Sequence, residues 1–109
     1  MRGEPIGALR HRLRLEQVDR VGDGAGGALQ AWSTQAEMWA ALRPLTGDEQ
    51  VAAERINGRI THEVIVRYRD GIQPAMRFVL GDRVFDIRAV MDVEERRRFI
   101  RCLVEERDL

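Results

Sequence analysis

The sequence predicts a mainly β domain, about six short antiparallel strands forming a small barrel or sandwich, with one short helix or long loop between the second and third strands. Three observations carry this. Thr61 to Val90 alternates apolar and polar residues in three short runs joined by turn signals at Asp70-Gly71-Ile72-Gln73-Pro74 and Gly81-Asp82, as half-buried antiparallel strands do. Turn signals recur along the rest of the chain about every 8–12 residues, the spacing of small all-β domains. Helix-start chemistry is clearest at Thr46.

Taken in order, residues 1–7 read as a flexible arm. From Leu9 the alternation is clean: Leu9, His11, Leu13 and Leu15 share one face, and Arg10, Arg12, Arg14 and Glu16 the other, which defines a strand with a basic outer face. Three arginines two residues apart repel one another unless acidic groups lie opposite, either in the same sheet or on a partner. Asp19 to Gly27, with four glycines and two aspartates, reads as a mobile loop (19–28). The second strand spans about Leu29 to Pro44 and carries Trp32 and Trp39, with a bulge or break at Gln35-Ala36-Glu37. Met38 to Leu42 would also suit a helix, but its alternation of large and small residues and the approach to Pro44 favour strand.

Thr46-Gly47-Asp48-Glu49 fits a capping box, and Asp48 and Glu49 suit the positive end of a helix dipole. The helix should run to about Ile56 and end at Asn57-Gly58 as a left-handed cap. Its apolar stripe, Val51, Ala52, Ala53 and Ile56, is weak, so the helix must dock on something. The other reading makes Asn57-Gly58 a hairpin turn within an extended loop. Thr61–Arg69, Met76–Leu80 and Arg83–Val90 are the next three strands. Asp92 to Arg96 turns into a last strand, Arg97 to Glu106, where β-branched residues outweigh the option of a C-terminal helix capped by Asp92.

At 109 residues the chain is one domain with a single core, small for an enzyme that must enclose a substrate. Charged residues are 33% of it, 18 basic against 18 acidic, which argues against a dedicated nucleic-acid binder but allows a local basic patch. Every basic residue is arginine. Genomic base composition accounts for that by itself, and an interface-rich surface is the functional reading, since Arg makes bidentate, weakly hydrated contacts. Lone Cys102 lies in an apolar run and reads as a core residue. No run approaches transmembrane length and no signal peptide is visible, so synthesis in a reducing cytoplasm is expected.

The search for chemistry returns little. His11 and His62 sit on strands that pairing could bring together, but no Cys or acidic residue stands at metal-ligand spacing, so no metal or cofactor is expected. Glu94-Glu95 and Glu105-Glu106 are adjacent residues whose side chains diverge, not an acid/base dyad. Gly22 to Gly27 lacks the Lys-Ser/Thr of a phosphate loop. No enzyme is indicated and no catalytic residue is assigned. The rival to a structural protein is a cellular small-barrel module that binds nucleic acid or protein. Arg10, Arg12, Arg14, Arg67 and Arg69 would supply its charge, but Tyr68 faces away from Arg67 and Arg69, and aromatics are only 6% of the chain, against the stacking platform such modules use.

The order and spacing of several motifs resemble the phage head–tail joining (head-closure or stopper) proteins of tailed phages, prophages and gene transfer agents. They are Gly7-Ala8-Leu9-Arg10-His11-Arg12-Leu13-Arg14-Leu15, the glycine-rich loop before Trp32, Trp39-Ala40, Pro44-Leu45-Thr46-Gly47-Asp48-Glu49, His62, Arg67-Tyr68-Arg69-Asp70-Gly71-Ile72, Met76-Arg77-Phe78 and Gly81-Asp82-Arg83-Val84-Phe85-Asp86-Ile87. The resemblance implies a small β-barrel with a long excursion between its second and third strands, here about Leu45 to Arg59. It implies a ring of sixfold or twelvefold symmetry below the portal and adaptor proteins, with tail terminator or tail proteins beneath and packaged double-stranded DNA in the lumen, and no membrane. The protein would assemble in the bacterial cytoplasm and end in the head–tail neck of the particle. On that reading Thr46, Gly47, Asp48, Glu49, Arg55, Asn57, Gly58 and Arg59 belong to a DNA-channel gate, with Arg55 and Arg59 as candidate phosphate contacts and Asp48 and Glu49 repelling DNA. Arg10, Arg12, Arg14, Asp23 and Trp32 are the candidates for ring or adaptor contacts.

Overall fold

The computed structural model describes residues 9–22 and 28–108; the expected arm at 1–7 and Asp23 lie outside the described residues. Six strands, β1 (His11–Gly22), β2 (Ala28–Pro44), β3 (His62–Arg67), β4 (Arg77–Leu80), β5 (Arg83–Asp92) and β6 (Phe99–Glu106), close into an antiparallel barrel in the order β1-β2-β3-β6-β5-β4. Helix α1 (Gly47–Asn57) lies between β2 and β3, and a 3-10 turn (Val93–Glu95) links β5 to β6. Closure decides between barrel and sandwich.

Every neighbouring pair is antiparallel, so the connections sort by end. The β1–β2 hairpin, the β3–β4 loop and the β5–β6 turn emerge at one end, called upper here. The α1 excursion, the β4–β5 turn, Leu9 and Asp108 lie at the lower end.

Inward-facing residues fill the barrel, with Leu13, Val64, Val66, Phe78, Phe85, Cys102 and Val104 fully buried. Ile72 and Met76, from the upper β3–β4 loop, close this core from above. A smaller cluster on the outer wall joins Leu45, Ile60 and Leu103 with Ala53 of α1 and Ala89 of β5. Residues 63–66 of β3 are all buried, because the strand is covered on both faces.

Local rules explain most of the boundaries. Gly81 has φ +62° at the first central position of the two-residue β4–β5 hairpin, where a type II′ turn calls for glycine. At Gln35, β2 carries one extra residue between Ala36, opposite Leu15, and Thr34, opposite Glu16, so the expected irregularity is a bulge. Met38 to Leu42 is strand, with Ala40 fully buried in the core.

Four expectations change. β1 continues to Gly22 and pairs with β2 up to Gly22↔Ala28, so residues 19–22 are strand where the glycine-rich composition suggested loop. His11 lies opposite Ala40 and His62 opposite Pro44 and Val104, so the two histidines are not brought together. Gly58 leaves α1 with φ +75° and ψ −164°, an extended region open almost only to glycine rather than the left-handed helical cap. The last strand begins at Phe99, after Arg97 with its φ of +53°.

Candidate functional site

Two surfaces stand out, the excursion at the lower end and the arginine-rich outer wall. The excursion is closed at its root, where the Leu45 N–H donates to the Thr61 carbonyl (3.0 Å). Its helix starts as the sequence predicts: the Glu49 N–H donates to Thr46 Oγ1 (3.3 Å) and the Thr46 N–H to Glu49 Oε1 (2.9 Å). At the other end, Asn57 Nδ2 donates to the Ala53 carbonyl (3.2 Å).

α1 contains no buried residue. Val51 and Ile56, half of its expected apolar stripe, are 58% and 86% exposed. The helix touches the barrel through Ala53 and through a clamp in which both Arg43 terminal nitrogens donate to the Glu49 carboxylate, at 2.8 and 2.9 Å. The Arg43 guanidinium, with the Thr46 amide, pulls the Glu49 carboxyl down to about 2.

The eight residues assigned to the gate therefore lie on one excursion, but they do not all face the same way. Glu49 turns back to Arg43, and Arg59 to Glu105 and Asp108, each at 3.8 Å. Asp48 and Arg55 are exposed and form no ion pair among the described residues.

On the wall, most arginines already meet carboxylates of the same chain. Arg12 pairs with Glu37 (3.6 Å) and Arg14 with Glu16 (3.4 Å); Arg10 is exposed at the foot of β1. Arg83 grips Glu106 at 2.8 and 3.1 Å, lowering that carboxyl, and Arg107 grips Asp86 at 2.8 and 2.9 Å. Glu63 is buried between Arg43 (3.5 Å) and Arg101, to which it is hydrogen-bonded. These pairs neutralise much of the arginine-rich surface locally, within the chain.

Trp32 is half-buried at the base of the β1–β2 hairpin. The Arg77 guanidinium lies 3.9 Å from its ring centre and that of Arg107 5.8 Å, and Arg77 is itself paired with buried Glu16 (2.8 Å). Sequence reasoning singled out Trp32 but missed Arg43 and Arg77. Each depends on a partner placed by the fold, and no local motif signals it.

Chemistry of other kinds has little to build on. Cys102 is fully buried, which pushes its thiol up to about 12. Burial lowers the pKa of His62, with Glu106 3.8 Å away opposing the shift. Among the described residues, no group of three His, Cys, Asp or Glu is arranged to hold a metal ion, and no helix is long and apolar enough to cross a membrane.

A small closed barrel, its wall arginines largely paired and a lightly attached excursion at one end, defines a structural β-barrel. The chain belongs to the phage head completion protein family, whose model matches residues 5–107, and it is a structural, head-related virion protein. Protein SF1141 from Shigella flexneri 2a, solved in solution, is similar at a TM-score of 0.75 and 23% identity, over 94% of this chain and 96% of that one. A chain in the virion of a native gene transfer agent particle is similar at a TM-score of 0.64 and 26% identity, over 91% and 96%. No curated protein sequence matches.

Proposed function

We propose that copies of this chain form a ring in the head–tail connector, that the excursion at residues 45–59 closes the DNA channel after packaging, and that the ring offers the tail its docking surface. Family membership and the gene transfer agent neighbour support the setting. The observation that carries the gating role is α1, a capped helix with no buried residue, attached by one alanine contact and one exposed ion pair. Such a segment detaches at small cost while the barrel stays folded.

In the closed ring the excursions converge on the lumen. Asp48 repels the duplex there, and Arg55 is free to meet phosphate; Glu49 and Arg59 join them when their pairs with Arg43, Glu105 and Asp108 open. Contacts above and below are to other head and tail proteins, with Arg10, Arg12, Arg14, Asp23 and Trp32 as candidates on the ring and adaptor side. Deleting residues 47–57 tests the gate. The Leu45–Thr61 hydrogen bond lies outside the deletion, so the barrel should fold and dock normally while packaged DNA leaks from the particles. Particles that dock the variant and still retain DNA as well as the parent would rule the gate out.

A further inference from the structure

The β1–β2 hairpin outruns the barrel. β4 covers β1 only at Arg14, Leu15 and Glu16, and β3 covers β2 only from Ala40 to Pro44. Beyond those points, among the described residues, the two strands pair with each other alone, up to Gly22↔Ala28. The bulge at Gln35, where Leu15 gives way to Glu16, marks the departure, as bulges that bend and twist a strand often do. The molecule is correspondingly elongated, 52 × 28 × 26 Å.

This ribbon has two open edges, Gln17 to Gly22 on β1 and Ala28 to Trp39 on β2. Among the described residues, no backbone hydrogen bond outside the ladders involves either stretch. Open edges template further strands, and folded proteins guard them with charge or proline. The β2 edge is unguarded over most of its length: between Asp23 and Glu37 there is no charged residue and no proline, in a chain that is 33% charged. A two-stranded ribbon is also marginal in water and gains from a third strand.

We propose that the open β2 edge of one copy pairs antiparallel with the open β1 edge of the next, so that the ribbons join into a continuous sheet around the ring. This rests on the ring reading above. A second copy is the fitting occupant because the ribbon supplies both halves of the contact. β1 ascends and β2 descends, so rotation about an axis along the ribbon sets the β1 of each copy beside the neighbour's β2 in antiparallel sense. The contact uses a different edge on each side, as heterologous ring closure requires. It lies at the upper end, away from α1, and leaves the excursion free to move.

Site-specific cross-linking tests it. One chain carries Gln17→Cys and another Ala31→Cys, positions that do not face each other within one copy, since Gln17 lies opposite Ser33 and Asp19 opposite Ala31. Buried Cys102 stays silent. Both chains are assembled into particles and treated with a short bifunctional maleimide. The expected product is the mixed-site dimer, which only two different copies can form, since each chain carries a single introduced cysteine. Amide exchange at alternate positions of the β2 edge should also slow in the ring relative to the free chain. Same-site dimers alone would mean a two-fold contact and overturn the proposal, as would capture of a different protein at Ala31. Intact rings with neither cross-links nor slowed exchange would overturn it while leaving the ring in place. Particles whose neck holds no ring of this chain would remove the ring reading and this inference together.

Discussion

Glu63 and Glu49 show how single carboxylates fasten this surface. Glu63 is only 8% exposed and is held by Arg43 and Arg101. Removing its charge leaves two guanidinium groups facing a neutral amide, so Glu63→Gln should cost about 1.5–3 kcal/mol, the range for hydrogen bonds to charged groups, read as a lowered midpoint in chemical unfolding. Glu49 is exposed and acts on α1. Its carboxyl is held at about 2, below the ordinary 4.5, chiefly by Arg43. A depressed carboxyl stabilises fully above its unfolded value and loses that contribution as pH falls through the folded one. Attachment of α1 should therefore weaken between about pH 4.5 and 2, with α1 amide resonances shifting ahead of those of the strands. Simultaneous loss of helix and barrel signals would contradict the clamp.

At the scale of elements, α1 is the piece that local chemistry specifies best and tertiary packing supports least. A helix of 11 residues with no buried side chain is marginal alone, so its cap carries weight. Thr46→Ala should destabilise the helix by about 1 kcal/mol, speeding α1 amide exchange several-fold and leaving β3 and β6 unchanged; a uniform effect on all elements would show that α1 and the barrel unfold together. The same contrast explains what the sequence made legible. The capping box, the Gly81-Asp82 turn and the Gln35 bulge were readable because each depends on a few adjacent residues. The length of β1 was not: Asp19 to Gly22 is strand because β2 lies opposite, although its composition suggests loop. The Arg43–Glu49 clamp and the Trp32–Arg77 stack were equally hidden, since the fold alone brings their partners together.

The whole molecule is polarised. Its upper end extends a ribbon with open edges, its lower end carries the excursion, and the wall between them is laced with internal ion pairs. A connector subunit needs this separation, because a segment that moves must not also hold the ring together. Burial of Phe78, Phe85 and Val104 inside a closed barrel gives the rigid body against which both ends can work. Cryo-electron microscopy of the head–tail neck of particles containing this chain tests the central claim most directly. The account predicts a ring of these barrels in the neck with residues 45–59 reaching the axis of the DNA channel. A neck without this chain, or a ring in which that segment stays folded on the outer wall while DNA is retained, would contradict it.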